Sequence, residues 1–120
     1  SMSNNIQILG VDEILRNNAQ LMERAKRETI AILDKAALDT ESRAKRLCPV
    51  DTGRLRASIH VDDPQPFLRE VGTTNVEYAI YVEMGTYRSR AQPYMRPAFE
   101  AVYPGYQRAI EALARRVSGR

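Results

Sequence analysis

Cysteine and histidine occur once each, as Cys48 and His60, in 120 residues. One cysteine cannot close an internal disulfide, so the fold stands without a covalent staple. One thiol and one imidazole are too few for a Cys/His zinc site within a single chain. No apolar run approaches the roughly 18 residues that a membrane-spanning helix requires. No charged-then-apolar leader with a cleavage site is visible. These absences point to synthesis in a reducing, cytosolic compartment. Glycine is sparse: six residues, at 10, 53, 72, 85, 105 and 119. Their spacing fits neither a dinucleotide fingerprint nor a phosphate loop, so no cofactor is implied. An excess of one sign of charge is also missing. The balance of 18 basic against 15 acidic residues leaves +3, which does not demand nucleic acid as a partner.

Apolar residues make up 43% of the chain, enough for one modest core. The expectation is a single domain over residues 2–120. Ser1 precedes Met2 and reads as the remnant of a removed tag. Arginine outnumbers lysine fifteen to three. Its planar fork binds carboxylates at two points and is favoured at protein interfaces.

Ile6–Leu9 reads as a short first strand, and Asp12 as the N-cap of a helix with Glu13 beside it. From Val11 to Leu47 apolar residues recur at threes and fours, with no proline before Pro49. A helix of about 35 residues would span roughly 50 Å, more than the diameter of a compact domain this size. It therefore breaks, with Asp39-Thr40 the weakest place, or projects and packs on a neighbouring chain. Asp51-Thr52-Gly53 is turn chemistry, with Gly53 at positive φ and Asp51 capping the turn. Leu55, Ala57, Ile59 and Val61 alternate with polar residues as in a half-buried strand. Asp62–Pro66 reads as a turn and Phe67–Thr73 as the hairpin partner. Tyr78 and Tyr81 are spaced to pack a short helix on the sheet, closed by Gly85. Thr86–Gln92 is a polar loop holding Arg88 and Arg90, expected to be mobile and to order on assembly. Pro93–Arg96 reads as an edge strand. Pro97 starts a helical turn, which Pro104-Gly105 interrupts before a last amphipathic helix. The fold class is α+β: a long N-terminal helix and a C-terminal helix packed on a small antiparallel sheet.

Catalytic signals are few. A Cys48/His60 pair is the minimum for thiol chemistry, set against Cys48 closing a helix and His60 facing solvent. Asp51-Thr52-Gly53 matches the turn that dimeric aspartic proteases bring together as a carboxylate dyad. Here, however, Arg54 follows it and would hold the carboxylates ionised. Arg43, Lys45, Arg46, Arg54 and Arg56 form one basic cluster. Arg88, Arg90 and Arg96, with Tyr87 and Tyr94, form another. Such patches suit phosphate contacts and base stacking, which leaves a nucleic-acid-associated protein or small ribonuclease toxin as an alternative.

Two motif clusters resemble a known family. The first runs from Ala44 to Ile59 and contains Pro49-Val50-Asp51-Thr52-Gly53-Arg54-Leu55. The second is Tyr78-Ala79-Ile80-Tyr81-Val82-Glu83-Met84-Gly85-Thr86, followed by Pro93-Tyr94-Met95-Arg96-Pro97-Ala98. In order and spacing the chain resembles the head–tail joining (neck, or tail-component) proteins of lambdoid long-tailed phages, the "gene product ten-like" family. It departs from that pattern at Cys48, where alanine is usual, and at Met84, where an aromatic is often found. The resemblance implies a structural virion protein made in the bacterial cytoplasm. It implies a ring near the portal end of the tail, with no enzymatic step. The implied partners are other copies of the chain and neighbouring head-connector or tail proteins; no small-molecule substrate or membrane is implied, and nucleic acid is at most incidental. Arg54, Arg56, Glu83, Arg88, Arg90 and Arg96 are the candidate assembly contacts. Glu83 would accept an arginine fork from Arg54, Arg56 or Arg96 of the same or an adjacent subunit. The overlong first helix and the basic loop are the two patches nominated to meet in a ring.

Overall fold

The computed structural model describes residues 2–49, 53–74 and 76–119, with side chains from residue 16 onward. Helix α1 spans Met2–Leu47, 46 residues, or about 69 Å at the helical rise. Its only helix breaker is Gly10, a cost of about 1 kcal/mol that so long a helix absorbs. The expected strand at Ile6–Leu9 and the N-cap at Asp12 are thus incorrect, because both lie inside this helix. Nor does it break at Asp39-Thr40. Thr40 is buried, and its hydroxyl donates to the Ala36 carbonyl at 2.8 Å. The helix stops where Pro49 forbids helical geometry in the residue before it.

The long helix therefore projects. The molecule measures 83 × 26 × 20 Å, with a radius of gyration of 22.0 Å, against about 14 Å for a compact chain of this length. Residues 16–24 are all exposed, Leu21 and Met22 among them.

Helix α2 (Arg54–Ser58) follows Gly53, whose φ of 77° lies in the left-handed region as expected. Strands β1 (His60–Gln65) and β2 (Leu68–Gly72) pair antiparallel as a two-stranded sheet. The expected strand through Leu55–Val61 is thereby corrected. Leu55 and Ile59 are buried while Ala57 is exposed, the i, i+4 pattern of a helical turn rather than strict alternation. The expected turn at Asp62–Pro66 is mostly strand. Register runs Asp62↔Glu70 and then Gln65↔Leu68, so Asp63 and Pro64 oppose Arg69 alone. This is a bulge, placed where proline has no N–H to give the ladder.

Helix α3 (Ala79–Met84) ends at Gly85, and helix α4 (Met95–Val117) runs antiparallel to α1. The expected edge strand at Pro93–Arg96 and the break at Pro104 are both incorrect. Pro104 sits inside α4 on its exposed side, where water can serve the carbonyl that the missing N–H leaves free. Ala44 and Ala98 are fully buried and let the two helices approach closely. Near the far end of α4, Arg116 Nη2 meets Glu28 Oε2 at 3.3 Å. One core cluster joins Ala44, Cys48, Leu55, Ile59, Ala79, Tyr94 and Ala98, flanked by Val71, Val76, Tyr78, Val82 and Met95. It lies at one end of the rod, where α1, α2, the hairpin, α3 and the start of α4 meet.

Candidate assembly surface around α3 and its loop

Helix α3 is short, and its six residues divide sharply between two faces. Ala79 and Val82 turn inward to the core with Tyr78. Ile80, Tyr81 and Met84 turn outward, 59%, 58% and 71% exposed. Tyr81 therefore does not pack on the sheet as expected, whereas Tyr78 does pack against the core. Tyr87, on the loop that follows, is 90% exposed, with the Arg88 guanidinium 5.1 Å from its ring centre. Four large apolar side chains thus stand in water on one short stretch of chain.

Glu83 holds this stretch to α4. Its Oε1 accepts the backbone N–H groups of Tyr94 (3.1 Å) and Met95 (2.8 Å), and its Oε2 accepts that of Arg96 (3.1 Å). The first N–H groups of a helix have no partner within it, and a carboxylate there also meets the positive end of the helix dipole. Glu83 is the cap of α4, supplied from another helix. The partners that Glu83 holds here are these three backbone N–H groups. Arg96 contributes its backbone, and its guanidinium bonds Glu100 at 3.0 Å. Arg54 stands 3.7 Å from Glu77 and 5.6 Å from the Tyr78 ring centre. Arg56 keeps its Nε buried without a hydrogen bond among the described residues.

The loop from Thr86 to Gln92 is closed on itself. The Thr86 hydroxyl accepts the N–H groups of Arg88 and Ser89, and the Thr86 and Ser89 backbones bond each other. The Gln92 N–H returns to the Val82 carbonyl at 2.8 Å. At the loop's root Gly85 has φ 77° and ψ 175°, a region open essentially to glycine. A Cβ there would stand 2.7 Å from the Ala91 nitrogen. Arg88 and Arg90 are exposed, and so is Pro93, while Pro97 is half-buried in the first turn of α4.

In the first motif, Leu55 is buried and Pro49 half-buried; Asp51 and Thr52 lie outside the described residues, as does Ser1. Cys48 is buried at the end of α1, and burial pushes its thiol above the ordinary range. His60 bonds the Ser58 carbonyl, Asp62 and Thr74. The hydrogen bond to Ser58 is the largest influence raising its pKa. The imidazole is engaged with these partners and the thiol bonds the Pro49 carbonyl, so the two do not form a nucleophile–base pair. Burial pushes the Tyr94 hydroxyl up to about 12, with the Glu83 charge adding to it. That hydroxyl donates to the Ala79 carbonyl at 3.3 Å. A groove of about 340 Å³ opens between α1, β2 and α4, lined by Leu33, Val71, Phe99, Val102 and Tyr103 among others. Among the described residues no His, Cys, Asp and Glu group is placed to hold a metal ion.

Sequence reasoning missed the capping role of Glu83, whose acceptors and donors lie eleven to thirteen residues apart. It also missed the outward face of α3. The signal for that face was present, since positions 80, 81 and 84 share one side of a helix.

A family model described as "Bacteriophage HK97-gp10, putative tail-component" matches residues 12–85. That span takes in most of α1, the hairpin and all of α3, and it ends at Gly85. No curated protein and no solved structure matches the chain.

Proposed function

Since this chain belongs to the HK97-gp10-like family of phage tail components, we propose that it is a structural virion protein of the head–tail connection. It acts in the neck or in tail completion and assembles by protein–protein contacts into a ring, without an enzymatic step. Residues 2–120 act as one domain, made in the host cytoplasm and carried into the particle. The motif residues Pro49 to Leu55, Tyr78 to Thr86 and Pro93 to Pro97 shape contact surfaces.

The observation that carries this reading, beyond the family, is the excess of uncovered apolar surface. Ile80, Tyr81, Met84 and Tyr87 cluster on α3 and its loop, while the first helix outruns its support. Contiguous exposed apolar patches on a small protein mark interaction sites.

Disrupting the gene in the phage that carries it tests the proposal. The expected result is full heads and free tails that do not join, seen by negative-stain microscopy and restored by the gene in trans. Infectious joined particles made without the protein would refute it.

A further inference from the structure

Resting on that reading, we propose which two surfaces meet in the ring: the β1–β2 hairpin of one copy seats on the α3–loop surface of the next copy.

The hairpin is built to meet a basic, apolar partner. Its turn exposes Phe67 and Leu68, 51% and 39% exposed. Arg69, the one arginine on the hairpin, is turned back. Its Nε donates to Asp34, and its Nη1 donates to the carbonyls of Gln65, Pro66 and Leu68. The hairpin's outward charge is then acidic, from exposed Asp62, Asp63 and Glu70. Asp62 and Glu70 sit directly opposite each other across the strands. Like charges in that position destabilise a sheet. His60 Nε2 lies 3.0 Å from Asp62 and offsets this only when the imidazole is protonated, because Nδ1 already donates to the Ser58 carbonyl. A cation from outside would relieve the rest.

The α3–loop surface has the complementary character. It offers Ile80, Tyr81, Met84 and Tyr87 together with exposed Arg88 and Arg90. The only acid between Tyr78 and Gln92 is Glu83, whose two oxygens are spent on the α4 cap. Tyrosine, methionine, phenylalanine and arginine are the side chains that interfaces favour. The two surfaces also lie apart on one chain. Arg69 ties the hairpin turn to α1 at Asp34, whereas Ala79 belongs to the core cluster that holds Ala44 and Cys48 of α1. The offset along α1 is some 15–20 Å at the helical rise. A contact between two different patches repeats head to tail, and forms a ring where the rotation from copy to copy closes.

Charge exchange in the full-length chain tests this, read by sedimentation velocity as concentration rises. Arg88→Glu with Arg90→Glu should weaken self-association about tenfold or more, as should Asp62→Lys with Glu70→Lys. Each of these side chains is exposed, and unchanged thermal unfolding confirms that each variant folds. Mixing the two double variants should restore association, because each then offers the charge the other has lost. Failure of the mixture to recover, or either variant associating like the unaltered chain, overturns the proposal. So does an unaltered chain that stays monomeric to about 1 mM, an interaction too weak to specify a ring. Arginine variants that lose only salt-sensitive DNA retention, with self-association intact, would instead make this surface a nucleic-acid site. Mass spectrometry of purified particles detects the chain in every one of these cases, so the tail-component reading is tested separately.

Discussion

Replacing Glu83 with alanine removes the cap of α4 without touching the core. Three backbone N–H groups lose a charged acceptor. Losing a side-chain cap costs about 1 kcal/mol, and losing a carboxylate at the positive end of the helix dipole adds about 0.5 kcal/mol. Glu83 is half-buried, so water replaces only part of what is lost. The expected total is about 2 kcal/mol, which lowers the melting temperature by roughly 6–10 °C in a chain of this size. Glu83→Gln keeps one oxygen for Tyr94 and Met95 but turns an amide toward the Arg96 N–H. It should cost about 1 kcal/mol, between the parent and the alanine variant. Arg96→Ala separates this mechanism from an arginine fork, because Arg96 contributes only its backbone. Its loss should cost no more than about 0.5 kcal/mol, the worth of the exposed pair with Glu100. Urea unfolding followed by circular dichroism measures all three. An unchanged midpoint for Glu83→Ala, or an equal loss for Arg96→Ala, would refute the capping role of Glu83.

Gly85→Ala meets both a forbidden backbone region and the Ala91 nitrogen, and should cost about 3 kcal/mol or more in the same assay. Gly53→Ala shares the positive φ but meets open space, so about 1 kcal/mol is expected. Stability should also fall with alkaline pH. The Tyr94 hydroxyl holds its proton to about 12 in the folded chain, whereas an unfolded tyrosine releases it near 10. Between these values the native state binds more protons, so the unfolding free energy decreases as pH rises. Tyr94→Phe should abolish that component of the slope while costing about 1 kcal/mol at neutral pH through the lost bond to Ala79.

The elements written in local periodicity were legible: the long helix, strand β2, helix α3 with its glycine stop, and the final helix. The α+β class followed from them. Ambiguity arose where a short segment satisfied two periods at once. Leu55 and Ile59, four positions apart, fall on one face of a strand after two alternations and on one face of a helix after about one turn, and only their place in the core with Ala44 and Cys48 selects the helix. Pro104 looked like a break because the sequence does not show that it faces water. The positive φ of Gly53 was readable from turn chemistry, and the place of Gly85 at the end of α3 from glycine's use as a helix cap. The partner of Glu83 was not, because a carboxylate reaching across a loop to another helix leaves no spacing to detect. An exposed apolar face on six residues is also easily taken for a core face when only its spacing is seen.

The reach of α1 carries a consequence for anyone weighing this molecule. A body four times longer than its narrowest dimension tumbles slowly and drags more solvent than a sphere of equal mass. On a sizing column calibrated with round standards, one copy will travel with proteins of considerably greater mass. Light scattering or equilibrium sedimentation, which do not depend on shape, will separate a lone elongated copy from a true assembly in the same fraction.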